Sequence, residues 1–129
     1  MIHVIDTHAL TRYIEDHRRL GPAGRAIFSD PGSVLVVPTI VLAEARFMIF
    51  KNKANIVWHD ITRLMADDGR FVPVALTLEI LDRTPDNLEM HDGIIVATAT
   101  TLREASGEDV RLITRDKDIR DSGLVETVW

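Results

Sequence analysis

Four acidic residues stand where a carboxylate could do chemistry. Asp6 closes the apolar run Ile2-His3-Val4-Ile5, and Asp116 stands one residue beyond Leu112-Ile113-Thr114. Glu44 lies inside the apolar stretch Ile40 to Phe50; on a helix it shares a face with Ile40, Phe47 and Met48. Arg46 lies about 200° around that helix and is no obvious partner. Asp92 precedes Gly93-Ile94-Ile95-Val96-Ala97-Thr98-Ala99, an almost wholly apolar run. Enclosing an unpartnered carboxylate costs several kcal/mol. Each acid has a plain alternative: Asp6, Asp92 and Asp116 as N-caps of the helices behind them, and Glu44 at the edge of its stripe or paired with a base elsewhere. Gathered in one place, the four would repel one another and raise each other's pKa. Hard divalent cations remove that cost, and Mg²⁺ and Mn²⁺ prefer oxygen ligands. An ion so held activates water and stabilises charge on a phosphoryl oxygen.

The elements that must position these acids are readable from the pattern. Ile2 to Ile5, Val34 to Val37, Phe71 to Leu76, Val110 to Thr114 and Val125 to Trp129 read as strands. Pro73 makes the third an edge strand or a short one. Helices are expected over Thr7 to His17, from Gly21-Pro22 to Phe28, over Thr39 to Phe50, Ala54 to Met65, Thr77 to Asp82, and from His91-Asp92 to about Glu104. Arg115 to Asp121 is a turn or short helix. Strands separated by helices indicate an α/β fold, with a mainly parallel sheet between helical layers. In such sheets ligands bind at the carboxyl ends of strands, near a switch in strand order. If the first and fourth strands are neighbours, Asp6 and Asp116 share one crevice.

Composition narrows the chemistry. The 129 residues suit one domain over 1–129, with no repeat, low-complexity segment or linker. There is no cysteine, which removes disulfides, thiolate metal sites and cysteine nucleophiles together. A net charge of −5 excludes a basic, phosphate-coating binder, so a nucleic-acid substrate requires metal ions or a local basic patch. No apolar run reaches the ~18–20 residues of a membrane span, and the opening Met-Ile-His-Val-Ile-Asp lacks the features of a signal peptide. The expectation is a soluble, cytoplasmic protein with no membrane partner.

Across its whole length the chain resembles the PIN-domain ribonucleases, and especially the small VapC-like toxins of bacterial toxin–antitoxin pairs. Val4-Ile5-Asp6-Thr7-His8-Ala9-Leu10 resembles the opening motif, Pro38-Thr39-Ile40-Val41-Leu42-Ala43-Glu44 the second, His91 to Ala99 the third and Leu112-Ile113-Thr114-Arg115-Asp116 the fourth. Ser122-Gly123-Leu124-Val125-Glu126-Thr127-Val128-Trp129 is similar to a frequent ending of this group. The resemblance implies a three-layer α/β/α sandwich and an endoribonuclease that uses Mg²⁺ or Mn²⁺ to hydrolyse RNA phosphodiester bonds. Asp6, Glu44, Asp92 and Asp116 take the family's acidic positions, as catalytic residues and metal ligands. Thr114 would add a supporting hydroxyl, or be an ordinary strand-end threonine; Asp118 would be a more distant acid, or simply exposed. Gly93 departs from the larger residue common there, at about 1 kcal/mol of helix stability relative to alanine. A homodimer, an RNA substrate and a cognate antitoxin are the implied partners, with an antitoxin arginine entering the acidic pocket as an inhibitory mode.

Basic residues near the motifs are candidates to grip RNA: Arg115, Lys117 and Arg120 after the fourth, and Arg46, Lys51 and Lys53 after the second. The alternative for each is a solvated helix surface. One Tyr, two Trp and four Phe give little sign of a base-stacking platform. Several rival functions remain. The doublets His59-Asp60 and His91-Asp92 suggest an HD-type phosphohydrolase, but neither has a convincing ligand set. A haloacid-dehalogenase-like phosphatase wants an acid where His8 stands, and a receiver-like domain lacks clear counterparts for its aspartate and lysine. The rival of another class is a non-catalytic partner-binding domain on the PIN fold.

Overall fold

The structure, a computed structural model, describes residues 1–129. Strand β1 is Ile2–Ile5, followed by helix α1 (Thr7–Asp16), a 3₁₀ turn (His17–Arg19) and α2 (Pro22–Ser29). Then come β2 (Val34–Pro38), α3 (Thr39–Phe50), α4 (Trp58–Asp67), β3 (Phe71–Val74), α5 (Leu78–Asp82) and α6 (Met90–Ser106). The chain finishes with β4 (Val110–Ile113), α7 (Lys117–Ser122) and β5 (Glu126–Val128).

The five strands form one sheet in the order β3-β2-β1-β4-β5, and every pairing is parallel. β1 is central: Ile2 pairs with Val34 on one side and with Val110 on the other. The inner strands are buried through consecutive residues, with Val4, Ile5, Leu112 and Ile113 fully enclosed. Both faces of the sheet are therefore covered, which is why the inner strands read as unbroken apolar runs. The chain moves outward from β1 to β2 and β3, then returns across the sheet to β4 and β5. With right-handed crossovers, those opposite movements put helices on opposite faces. The expected α/β architecture with a parallel sheet is the one observed.

Most element boundaries follow the sequence pattern, and the departures have local causes. The helix expected from Ala54 begins only at Trp58. Asn52 sits in the left-handed region (φ 52°), the Asn55 N–H donates to the Glu15 carboxylate at 2.9 Å, and the Val57 N–H donates to Asp60 Oδ2 at 2.9 Å. These bonds hold residues 51–57 in a bend and set the start of α4. β3 stops at Val74, shorter than expected, and Pro73 lies on the sheet edge, where its missing N–H costs no ladder bond. Gly107 and Gly123 end α6 and α7 with φ of 68° and 66°, the left-handed closure that glycine adopts without strain. No helix is long and apolar enough to cross a membrane.

Gly93, the departure from the family pattern, has a packing reason. A Cβ there would come within 3.0 Å of the Thr84 methyl and 3.3 Å of the Pro85 carbonyl oxygen. The segment joining α5 to α6 crosses the helix directly over Gly93, so close approach outweighs helix propensity. Gly93→Ala is expected to forfeit the usual gain of about 1 kcal/mol and to leave the melting temperature unchanged or lower. A higher melting temperature in calorimetry would show that the segment yields and that the packing explanation is wrong.

Candidate active site

Asp6 and Asp116 stand just past the carboxyl ends of β1 and β4, adjacent strands at the point where strand order reverses. The Asp6 N–H donates to the Ile113 carbonyl at 3.3 Å, extending that pairing to the site itself. Both acids also cap the helices behind them. Asp6 Oδ1 accepts from the Ala9 N–H at 2.7 Å, and Asp116 Oδ1 from the Ile119 N–H at 3.0 Å. Capping and site membership are thus compatible: one oxygen fixes the carboxylate on a helix end, and its Oδ2 makes no backbone bond.

Asp92 behaves differently. Glu89 caps α6, its Oε2 accepting from the N–H groups of His91 and Asp92 at 2.9 and 3.3 Å. The cap role that the sequence left open for Asp92 is already filled, and its carboxylate is left to face the pocket. Glu44 is half-buried on α3 without a salt bridge; the Thr7 hydroxyl at the start of α1 donates to its Oε1 at 2.9 Å. The apolar face expected for Glu44 is not buried as a whole: Ile40 and Met48 are half-buried and Phe47 is exposed, while Val41 and Ala45 are the residues of α3 that pack inward.

The four acids line one pocket of about 350 Å³ together with Thr7, His8, Arg12, Met48, Ile95 and Arg115. Their electrostatics record the gathering. Burial, and then the charges of Asp116, Glu89, Glu44 and Asp6, push Asp92 up to about 6. The positive end of α6 pulls the other way, and the acids and burial win. Burial also raises Asp6, while hydrogen bonds from Thr114 and the Ala9 N–H, and the charge of His8, hold it down. Thr114 is fully buried, bonds Asp6 and accepts from the Asp116 N–H at 3.1 Å, so one hydroxyl links the two strand-end acids.

The donor set is all oxygen, which suits a hard divalent cation. No three of the chain's His, Asp or Glu side chains stand in closed chelating geometry. Mg²⁺ keeps several waters and takes only one or two direct carboxylates, so an open cluster of four fits that ion better than a tight cage would. The residues fit the group as ligands, direct or through water.

The PIN domain family model matches residues 3–123. The chain belongs to the PIN domain family. Its fold is shared with two solved toxin–antitoxin structures. One is VapBC2 from Rickettsia felis bound to a promoter DNA fragment, with TM-score 0.70 and 15% identity over 100% of this chain and 99% of that one. The other is a toxin–antitoxin complex from Klebsiella pneumoniae, with TM-score 0.66 and 23% identity over 98% and 96% of the two chains. The chain has no match by sequence among the curated proteins.

Within this PIN domain, the other candidates from the sequence divide. Arg115 lines the pocket, whereas Asp118 and Arg120 are exposed and do not. Lys117 is paired with Asp121 on the surface of α7. Arg46 lies over the rings of Phe50 and Trp58, 4.8 and 5.0 Å from their centroids, away from the acids. Lys51 lies over the Phe47 ring, and Lys53 is exposed. His59-Asp60 is an exposed doublet on α4, and His91 is engaged with Glu89, so the two doublets share no site. Sequence reasoning missed Thr7, His8 and Arg12. His8 and Arg12 are four apart on α1, and tracking the helical face that starts beside Asp6 would have found them.

The raised pKa of Asp92 has a consequence for stability. The folded protein holds the Asp92 proton more tightly than the unfolded chain does, so ionising it between about pH 4 and 6 costs stability. Without metal at neutral pH, Asp92→Asn is expected to stabilise the protein by about 1 kcal/mol, a value reduced for solvent screening of this half-exposed group, or about 3 °C. The difference should vanish below about pH 4. Thermal melts across pH check this, and a destabilised variant at neutral pH would show that the acids do not repel.

Proposed function

We propose that this PIN-domain protein is an endoribonuclease dependent on Mg²⁺ or Mn²⁺, and that it is the toxin of a toxin–antitoxin pair. The observation that carries the reading is the convergence of Asp6, Glu44, Asp92 and Asp116 on one pocket at the switch point of the sheet. An ion bound there would supply charge stabilisation for a phosphoryl oxygen and a lowered pKa for water. Asp6, Asp92, Asp116 and Glu44 would hold it.

The chain's own residues set the conditions. The cap bonds at Asp6 and Asp116 fix two carboxylates before any ligand arrives, so little reorganisation is needed. Thr114 keeps Asp6 and Asp116 in mutual register, and Thr7 steadies Glu44. Asp92, pushed up to about 6 by burial and by the neighbouring acids, has no hydrogen bond to its side chain from the protein. Loss of its proton creates a ligand, so Mn²⁺ competes with that proton, and calorimetric Mn²⁺ affinity is expected to strengthen as pH rises through about 6.

RNA is the proposed substrate, and the support for it is the family together with the two arginines that border the acids. An antitoxin is the proposed partner because both similar structures are toxin–antitoxin complexes. A homodimer is supported by large apolar side chains left in solvent, among them Phe47 and Phe50 on α3, 57% and 67% exposed. The second reading is a non-catalytic partner-binding domain on the PIN fold, favoured by the fact that both similar structures are complexes with a partner.

Cleavage of a cellular RNA pool separates the two. Asp6→Asn and Asp92→Asn are each expected to lower Mn²⁺-dependent cleavage by about 100-fold or more, and EDTA to abolish it. Full activity in either variant, or none in the parent protein with metal, would sink the nuclease reading. Light scattering of the purified protein checks the dimer, for which a monomeric mass at high concentration is the contrary result.

A further inference from the structure

Two arginines border the acidic pocket, and neither bonds an acid. Arg12 comes from α1 and Arg115 from the turn after β4; both line the pocket with the four carboxylates. Elsewhere in the chain, arginines beside carboxylates pair with them: Arg18 with Asp16, Arg70 with Asp68, Arg111 with Glu126. Arg12 and Arg115 instead lie against the ring of Trp129, their guanidinium carbons 5.4 and 5.8 Å from its centroid. Their N–H groups remain free of any partner in the protein.

Trp129 is seated firmly enough to serve as a platform. The Ala23 N–H donates to its carbonyl at 3.2 Å, and the Thr114 N–H donates to the preceding Val128 carbonyl at 3.0 Å. A Cβ on Gly21 would fall 2.5 Å from both the backbone and the ring of Trp129, so the tryptophan rests directly on a glycine backbone. A fixed aromatic face restrains two long side chains that would otherwise lose conformational freedom on binding a ligand. It also holds two like charges near one another, and the Arg115 charge, after burial, is a cause of the lowered pKa of Arg12. An anion received by both would relieve that repulsion.

We propose that Arg12 and Arg115, positioned by Trp129, form a subsite for a backbone phosphate of the RNA next to the one held at the acids. This rests on the reading of the substrate as RNA. A polynucleotide presents phosphates at regular spacing, so one can lie at the acidic centre while its neighbour reaches the guanidinium forks, which match phosphate oxygens two at a time. An isolated acidic side chain has no such second anchor and would meet four carboxylates at the pocket floor. In a chain of net charge −5, this local pair supplies the attraction that overall charge does not. Trp129 is a positioning residue here, acting through the arginines.

The test is binding of a labelled single-stranded RNA oligonucleotide, followed by fluorescence anisotropy over a range of salt, once in EDTA and once with Ca²⁺. Arg12→Ala and Arg115→Ala are each expected to weaken binding about 10-fold and to make the slope of log K against log salt shallower by about 0.7, the value of one phosphate contact on a single strand. Trp129→Ala should weaken binding in the same direction, and Trp129→Phe should largely restore it. Calorimetric Mn²⁺ affinity should not fall in any of the four, since losing a neighbouring positive charge leaves the acids at least as attractive to the ion. Unchanged affinity and slope in both arginine variants overturn the subsite, as does a parent protein that binds no RNA in either condition or prefers an acidic peptide. RNA binding that depends on the arginines, in a protein that cleaves nothing with metal, supports the subsite while removing the nuclease reading.

Discussion

Everything about the site follows from the place of β1 at the centre of a parallel sheet. A strand paired on both sides with parallel neighbours requires the chain to depart in one direction and return in the other. The reversal leaves a crevice at the carboxyl ends of β1 and β4, where no crossover covers the strand ends. Two acids placed immediately after those strands must share that crevice. The helices that follow need their first N–H groups satisfied, and the same carboxylates do this. Fold and site are therefore held by one set of bonds.

That economy has an electrostatic cost, seen at Asp92. Asp6 and Asp116 are partly compensated by backbone N–H donors, and Glu44 by the Thr7 hydroxyl. Asp92 has no such donor to its side chain, because Glu89 already serves the start of α6. Burial, and then the repulsion accumulated among the acids, is expressed there as a carboxyl group pushed up to about 6. A cation is the natural counterweight to a cluster built in this way.

Much of this was legible in the sequence because the informative features are local. Strand-then-acid at Ile5-Asp6 needs only a handful of consecutive residues, and Glu44 stands out against a helical stripe of known period. The mainly parallel sheet followed from strands alternating with helices. The remainder depends on which distant segments touch. The seat of Trp129 on Gly21 joins residues far apart in sequence, and nothing local in Gly21-Pro22 announces it. Nothing in the helical pattern of Thr7 to His17 singles out Arg12; its place beside Arg115 exists only once β5 has brought Trp129 between them. Likewise Gly93 looked like a weak point in a helix until the crossing of Thr84-Pro85 gave it a reason.

The pairing of Ile2 with Val110 also governs when the acidic pocket can form. During synthesis β1 emerges well before its neighbour β4, and α7 and β5 follow β4. Non-local pairing of this kind forms late and slowly. A growing chain on the ribosome therefore carries Asp6, Glu44 and Asp92 without Asp116 beside them. The four carboxylates meet in one pocket only once β4 has been made and has paired with β1, so a nascent chain lacks the complete set.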